Sequence, residues 1–305
     1  MEGNTIRVGT RGSKLALIQT NATIAQLQTR FPAYRFEPVI VKSTGDARQN
    51  IPLRAFSTSG IFTRELEQAL LDGTIDFAVH SMKDLPAVQP PELMLTDPPK
   101  RADCRDVLIL RDGLSSLEDL PQGATVGTGS LRRSRQLLAL RPDLQIVPIR
   151  GNIETRMRKA TDGELDGVML AAAGLQRAGY ASAISAAFSP LTILPAPAQG
   201  ILGLEVRKDN AAVRAILDTI RDKASAIAAR AERAFLRGTG AGCHAPVGAY
   251  CVVEGDSITL TAVYGAEDDG AALVRGSVSG KAEAAEALGL QLAAQLCTAY
   301  ERNSL

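Results

Sequence analysis

Over its first two thirds the sequence alternates short apolar runs with amphipathic stretches, and this alternation restricts the possible folds more than any other feature. Residues 6–9, 36–41, 77–79, 107–110, 125–127, 145–149 and 167–171 have the length and β-branched content of strands. Between most of them, 19–30, 60–71, 130–139 and 153–161 place apolar residues at helical spacing. Strands separated by helices are predicted to run mostly parallel, in α/β sheets covered on both faces. The pattern breaks at the charged run PPKRADCRD (98–106) and again at 195–199, just before a strand-like run at 203–206. Two crossings predict a discontinuous first domain, 1–99 with 200–219, and a second at 100–199. From residue 224 a helix (224–237), three strand runs (247–253, 258–264, 273–278) and an Ala-rich helix (282–300) predict a small C-terminal α+β domain over 220–305.

Charge and residue counts exclude several functions. The 34 basic and 33 acidic side chains leave a net charge of +1, without the basic excess of a nucleic-acid-binding domain. With His80 and His244 the only histidines, a histidine-rich metal centre is excluded. Cys104, Cys243, Cys251 and Cys297 form no C-x-x-C pair, so free thiols are expected. The longest uncharged stretch, 178–204, contains Pro190, Pro195 and Pro197, which argues against a membrane span. The opening MEGNTIRVGTRGSK has no apolar signal region, so a cytoplasmic protein is expected.

The chemistry collects where strands end. IRVGTRGSKLAL places Arg11 and Ser13 after the first strand, and DFAVHSMKD places Ser81, Lys83 and Asp84 after another. TVGTGSLRR brings Thr128, Ser130, Arg132 and Arg133 to a strand-to-helix turn, and IVPIRGNIETR brings Arg150, Asn152 and Arg156 to the next. Ligands of parallel α/β sheets bind at the carboxyl ends of the strands, where helix N-termini offer free N–H groups. One arginine in a first helical turn is ordinarily a solvated side chain; its recurrence beside small hydroxyl residues describes a polyanion site, since guanidinium forks pair bidentately with carboxylates. GTGSLRR has Arg132 where a dinucleotide fingerprint has its third glycine, so nucleotide binding is not indicated.

Asp84 is a carboxylate among cations and stays ionised in such a setting. It can stabilise a cationic intermediate; a helix N-cap or salt bridge is the structural alternative. His80 is expected to pack or hydrogen-bond at a strand end. Cys243 lies in GTGAGCHAPVGAY, a glycine-rich loop that exposes its thiol and suits covalent attachment better than a Cys–His catalytic pair. The other three cysteines read as buried and inert.

VGTRGSKLAL, AVHSMKD, VGTGSLRR, IRGNIETR, LAAAGLQR and GAGCHAPVG together resemble the porphobilinogen deaminase (hydroxymethylbilane synthase) family, in its order and spacing over nearly the whole chain. The resemblance implies two type II periplasmic-binding-protein-like domains, the first discontinuous, and a third that carries the cysteine. It implies a dipyrromethane cofactor attached through Cys243 and a reaction that condenses four porphobilinogen molecules, releasing ammonia each time, into hydroxymethylbilane. By the same resemblance Asp84 is the catalytic residue. Ser81, Lys83, Thr128, Ser130, Arg132, Arg133, Arg156 and Gly174 are cofactor contacts, and Arg11, Ser13, Arg150 and Arg177 substrate contacts. A monomer that binds neither nucleic acid nor membrane is expected.

The chain departs from the family pattern at four places. Residues 54–62 read RAFSTSGIF where relatives usually have a glycine-rich loop with two lysines before Gly-Leu-Phe. Position 244 is His for the commoner Gln, Ala198 replaces a usual Gly, and Gly129 stands where relatives often have Ser. A pyrrole-condensing paralogue with another product, or an anion-binding module that needs no reactive cysteine, are the competing readings.

Overall fold

The computed structural model describes residues 4–42, 63–242, 245–266 and 273–303. In chain order the elements are β1 (Thr5–Thr10), α1 (Lys14–Arg30), β2 (Arg35–Ile40), α2 (Arg64–Leu71), β3 (Phe77–Ser81), β4 (Leu93–Leu95), β5 (Asp106–Leu110), β6 (Thr125–Gly127), α3 (Leu131–Leu140), β7 (Gln145–Val147), α4 (Ile153–Thr161), β8 (Gly167–Ala171), α5 (Ala172–Arg177) and β9 (Ala186–Ala187). They continue with β10 (Leu202–Arg207), α6 (Ala211–Leu217), α7 (Lys223–Thr239), β11 (Gly248–Glu254), β12 (Ser257–Tyr264), β13 (Val274–Lys281) and α8 (Ala285–Asn303). Two compact units emerge: Met1–Arg101 with Ile201–Ala226, and Ala102–Gly200 with Ile227–Leu305.

Unit one is built on a five-stranded sheet of order β2-β1-β3-β10-β4. Strands β2, β1 and β3 are parallel, while β10 runs against both β3 and β4. Side chains alternate between the faces, as the pleat demands. Phe77, Val79, Leu204 and Val206 join Ile6, Val8, Leu27 and Ile216 in one core, and Ala78 joins Leu66, Leu70, Ile75 and Leu93 in the other. Both faces are therefore covered, one by α1 and α6, the other by α2. Pro38, which cannot donate to a ladder, is placed on the edge strand β2.

Unit two repeats the plan with a five-stranded sheet of order β7-β6-β8-β5-β9, in which β5 is antiparallel to β8 and β9. Val107 and Ile109 point into one core, Leu108 and Leu110 into the other. The same unit holds a three-stranded antiparallel sheet, β11-β12-β13, whose inner face packs with α7 and α8 around Phe235, Leu260, Leu292 and Tyr300. The expected α/β class is thus observed, as two mixed five-stranded sheets and a small C-terminal α+β layer.

Three details differ from the sequence expectation. The sheets are mixed, each with one reversed strand, β10 or β5, inserted among strands that run together. The edge strands β4 and β9, of three and two residues, are too short for alternation to reveal. Helix α1 starts at Lys14, five residues earlier than periodicity placed it, because Ser13 caps it: Ser13 Oγ accepts the Ala16 N–H at 3.3 Å. The 54–62 departure falls on positions 43–62, outside the described residues, as do Cys243 and His244.

Candidate active site and anion-binding edge

In unit one, parallel β1 and β3 end at the same edge of the sheet and deliver one group of expected residues there. Arg11 and Ser13 follow β1. Ser81 closes β3, and Lys83 and Asp84 lie in the one-turn 3₁₀ helix Met82–Asp84 that follows. Asp84 is exposed, the position a side chain needs if it is to meet a ligand. The turn is anchored by the Met82 N–H to Ile201 O (3.0 Å) and closed by the Leu85 N–H to Met82 O (3.2 Å). Buried Gln19 on α1, which sequence reasoning missed, donates to Ser81 Oγ at 3.0 Å and ties the helix to the strand end.

In unit two, parallel β6, β7 and β8 likewise end at one edge. Thr128 is buried and its Oγ1 accepts the Ser130 N–H at 3.2 Å, shaping the entry to α3. Ser130 stands at the N-cap position without a side-chain cap bond, and Arg132 and Arg133 fill the first turn. Asn152 caps α4, its Oδ1 accepting the Thr155 N–H at 2.8 Å, with Arg150 just before it. Arg156 Nε donates to Gly151 O at 2.8 Å. Gly174 and Arg177 lie on α5, which follows β8 directly.

The centre of this edge is a carboxylate that sequence reasoning did not find. Asp106 opens β5 opposite Ala171, the last residue of β8, because the two strands are antiparallel. Arg132 Nη1 donates to its Oδ2 at 2.5 Å, and Arg133 Nε to its Oδ1 at 2.9 Å. Gln199 Nε2 donates to Oδ1 at 2.9 Å. The arginines also donate to backbone, Arg132 to Leu194 O (2.7 Å) and Arg133 to Met169 O (3.2 Å). All three ionic side chains are buried. Burial pushes the Asp106 carboxyl upward, but the Arg132 and Arg133 charges and the Gln199 bond outweigh it and hold the group far below the ordinary carboxylate range. Burial and the neighbouring Arg133 in turn lower Arg132, against the opposing pull of Asp106.

Two guanidiniums against one carboxylate leave the cluster with excess positive charge. Arg177, at the end of α5, is a further cation of the unit: burial lowers its pKa, and the Nη2 group donates to Gly200 O at 2.9 Å, with no carboxylate paired to it among the described residues. Uncompensated charge in a desolvated site is costly, and anionic ligand groups relieve that cost. This donor set suits a ligand carrying several carboxylates, as dipyrromethane does.

Farther into unit two, Glu232 of α7 is fully buried and accepts the backbone N–H groups of Ala198 (2.6 Å) and Cys251 (2.9 Å). The acid thereby joins the 195–200 turn, which supplies Gln199 to Asp106, to the C-terminal sheet. Cys104 and Cys251 are buried thiols outside any disulfide, and Cys297 is only half-buried where burial was expected. No helix among the described residues is long and apolar enough to cross a membrane.

Fold and site together define an α/β protein with an arginine-rich strand edge in one unit and an exposed aspartate at a strand end in the other. Comparison with known proteins narrows this. Residues 6–215 match the family model described as porphobilinogen deaminase, dipyromethane cofactor binding domain, and residues 226–298 match the porphobilinogen deaminase C-terminal domain. A porphobilinogen deaminase of Clostridioides difficile (strain 630) is 47% identical over 296 residues, covering 97% of this chain and 98% of that one. One from Clostridium novyi (strain NT) is 48% identical over 291 residues, covering 94% and 97%. The relative from Syntrophobacter fumaroxidans is 41% identical over 305 residues, covering 100% and 98%. The chain belongs to the porphobilinogen deaminase family.

Proposed function

We propose that the chain is a transferase that joins four porphobilinogen molecules head to tail into the linear tetrapyrrole hydroxymethylbilane. Each condensation forms a carbon–carbon bond between an aminomethyl carbon and a pyrrole α-carbon, breaks the carbon–nitrogen bond and releases ammonia and the α-proton; a final hydrolysis frees the tetrapyrrole, water supplying the hydroxyl of its hydroxymethyl end and a proton taking its place on the terminal pyrrole left behind. The observation that carries this reading is the excess positive charge around Asp106, at an edge that also receives Arg150 and Arg156. A growing pyrrole chain bears an acetate and a propionate on every ring and matches that demand.

Dipyrromethane, when bound, supplies the pyrrole terminus on which the chain grows. Arg132, Arg133 and Arg156 would hold its carboxylates, with Ser81, Lys83, Thr128, Ser130 and the small Gly174 as further contacts and the Cys243 thiol as attachment point. Arg11, Ser13, Arg150 and Arg177 would bind the incoming substrate. Asp84 stabilises the cation left when ammonia departs and manages the pyrrole N–H and α-proton; positioned proton transfer contributes roughly 10²- to 10⁴-fold in rate. In this reading the domains are 1–99 with 200–219, 100–199 and 220–305, and the protein acts as a cytoplasmic monomer without nucleic-acid or membrane partners.

The test is the intact mass of purified protein with peptide mapping around Cys243, followed by porphobilinogen turnover. Two linked pyrrole units on Cys243, lost in Cys243→Ser, and near-abolished turnover in folded Asp84→Asn are expected. An unmodified mass that persists after incubation with porphobilinogen overturns the reading.

A further inference from the structure

Four residues before Asp84, the strand that carries it contains a buried ionisable pair that the reaction as described does not use. His80 Nε2 lies 3.1 Å from Glu205 Oε2, and the two side chains are 4% and 0% exposed. The register of β3 against β10 sets Gly203 opposite His80 and Glu205 two residues along. The pair therefore crosses the two strands diagonally on one face of the sheet, within reach of long side chains.

This cross-link is the last between side chains of β3 and β10 before the chain leaves the sheet. Beyond it Ser81 pairs with Leu202, the Met82 N–H binds Ile201 O, and the Lys83–Asp84 turn begins. The third group of the cluster is Glu67, from α2 on the same face. Glu67 Oε1 and Glu205 Oε1 are both buried without hydrogen-bond partners among the described residues. Burial, then the Glu205 charge, raise the Glu67 pKa, against the Thr63 hydrogen bond and the His80 and Arg64 charges. A desolvated pair of this kind stabilises a fold no better than well-packed apolar residues. What it adds is a single directional geometry at a strand end.

We propose that His80 and Glu205 are positioning residues for Asp84: their bond fixes the end of β3 against β10 and so sets where the Lys83–Asp84 turn presents its carboxylate to porphobilinogen. The inference rests on the catalytic assignment of Asp84 above.

The experiment compares full-length cofactor-loaded wild type, Asp84→Asn, Glu205→Leu, Glu205→Gln and His80→Asn by porphobilinogen consumption, with kcat and KM separated and Tm recorded. Misplacing a catalytic group by about an ångström costs on the order of 10²-fold. Glu205→Leu is expected to lower kcat by about 10- to 100-fold with KM within about twofold. Glu205→Gln, which can still accept from the imidazole, is expected to recover most of that loss, and His80→Asn, too short to reach Glu205, to behave like Glu205→Leu. Should Glu205→Leu fail to fold, His80→Asn decides: wild-type kcat in that variant overturns the proposal. A lowered Tm with unchanged kcat in the folded variants also overturns it, since the pair would then be structural only. Full turnover by Asp84→Asn, or none by wild type, refutes the catalytic assignment instead, so the two failures are distinct.

Discussion

The backbone N–H of Ala198 donates to Glu232 Oε2 at 2.6 Å while Ala198 sits at φ +61°. It is the one non-glycine residue in that left-handed region among the described residues. An L-residue in this conformation costs about 1–2 kcal/mol, which the buried carboxylate helps to offset.

Glu232→Leu removes the acceptor from two backbone N–H groups, Ala198 and Cys251. Each buried donor left unpaired costs about 1–3 kcal/mol, so the variant is expected to lose more than about 2 kcal/mol. Urea denaturation measures this; a loss under about 0.5 kcal/mol would show that other groups hold the turn.

Asp106→Asn strips the shared counter-charge from Arg132 and Arg133, and breaking a buried ionic cluster from one side costs about 3–5 kcal/mol. The carboxyl's folded-state pKa is depressed, so its stabilisation is fully present above the unfolded value of about 3.9 and fades as pH falls through the lower folded value. Denaturation from pH 8 downward should show a constant gap between wild type and variant to about pH 4, narrowing only in stronger acid. A gap that closes between pH 7 and 5 would contradict this assignment.

Glu67 has the opposite sign. Its folded-state pKa is raised above the ordinary 4.5, so its ionisation destabilises the fold as pH rises through the folded value. Glu67→Gln is expected to raise Tm at neutral and alkaline pH and to match wild type below about pH 4.5. Thermal melts across pH test this, and an equal shift at every pH would point to packing rather than charge.

At position 129 a Cβ would lie 2.9 Å from Ile149 O. Backbone cannot step aside as a flexible side chain can, so Gly129→Ser is expected to cost about 1–3 kcal/mol. An unchanged Tm would mean that the β6–α3 turn shifts freely.

Much of the site was legible because its residue types recur after strands. Ser81, Lys83 and Asp84 stand at one carboxyl edge, and Thr128, Arg132 and Arg150 at another, where the strand-to-helix pattern predicts them; Arg177, at the far end of α5, was expected only from the family resemblance. Asp106 was hidden by its setting: within PPKRADCRD it looks like one more charge at a domain break, and only the antiparallel entry of β5 brings it under α3. Gln19, Gln199 and Glu232 escaped for a related reason. Their partners are distant in sequence, and a polar residue on an amphipathic helix or in a turn carries no mark of being buried. The direction of β10 was equally invisible, because apolar alternation reports which face is buried but not which way a strand runs.

The position of β10 has a bearing on how the chain is made. It lies between β3 and β4, so the first sheet to be started cannot close until residue 207 has been synthesised, whereas the second sheet has its last strand by residue 187. At about 5–20 residues per second, β4 must wait roughly 6–20 s for its only sheet neighbour to emerge from the ribosome. During that interval the apolar flank of β3 is open on a nascent chain whose later half is already able to fold, and that flank is where a chaperone would be needed.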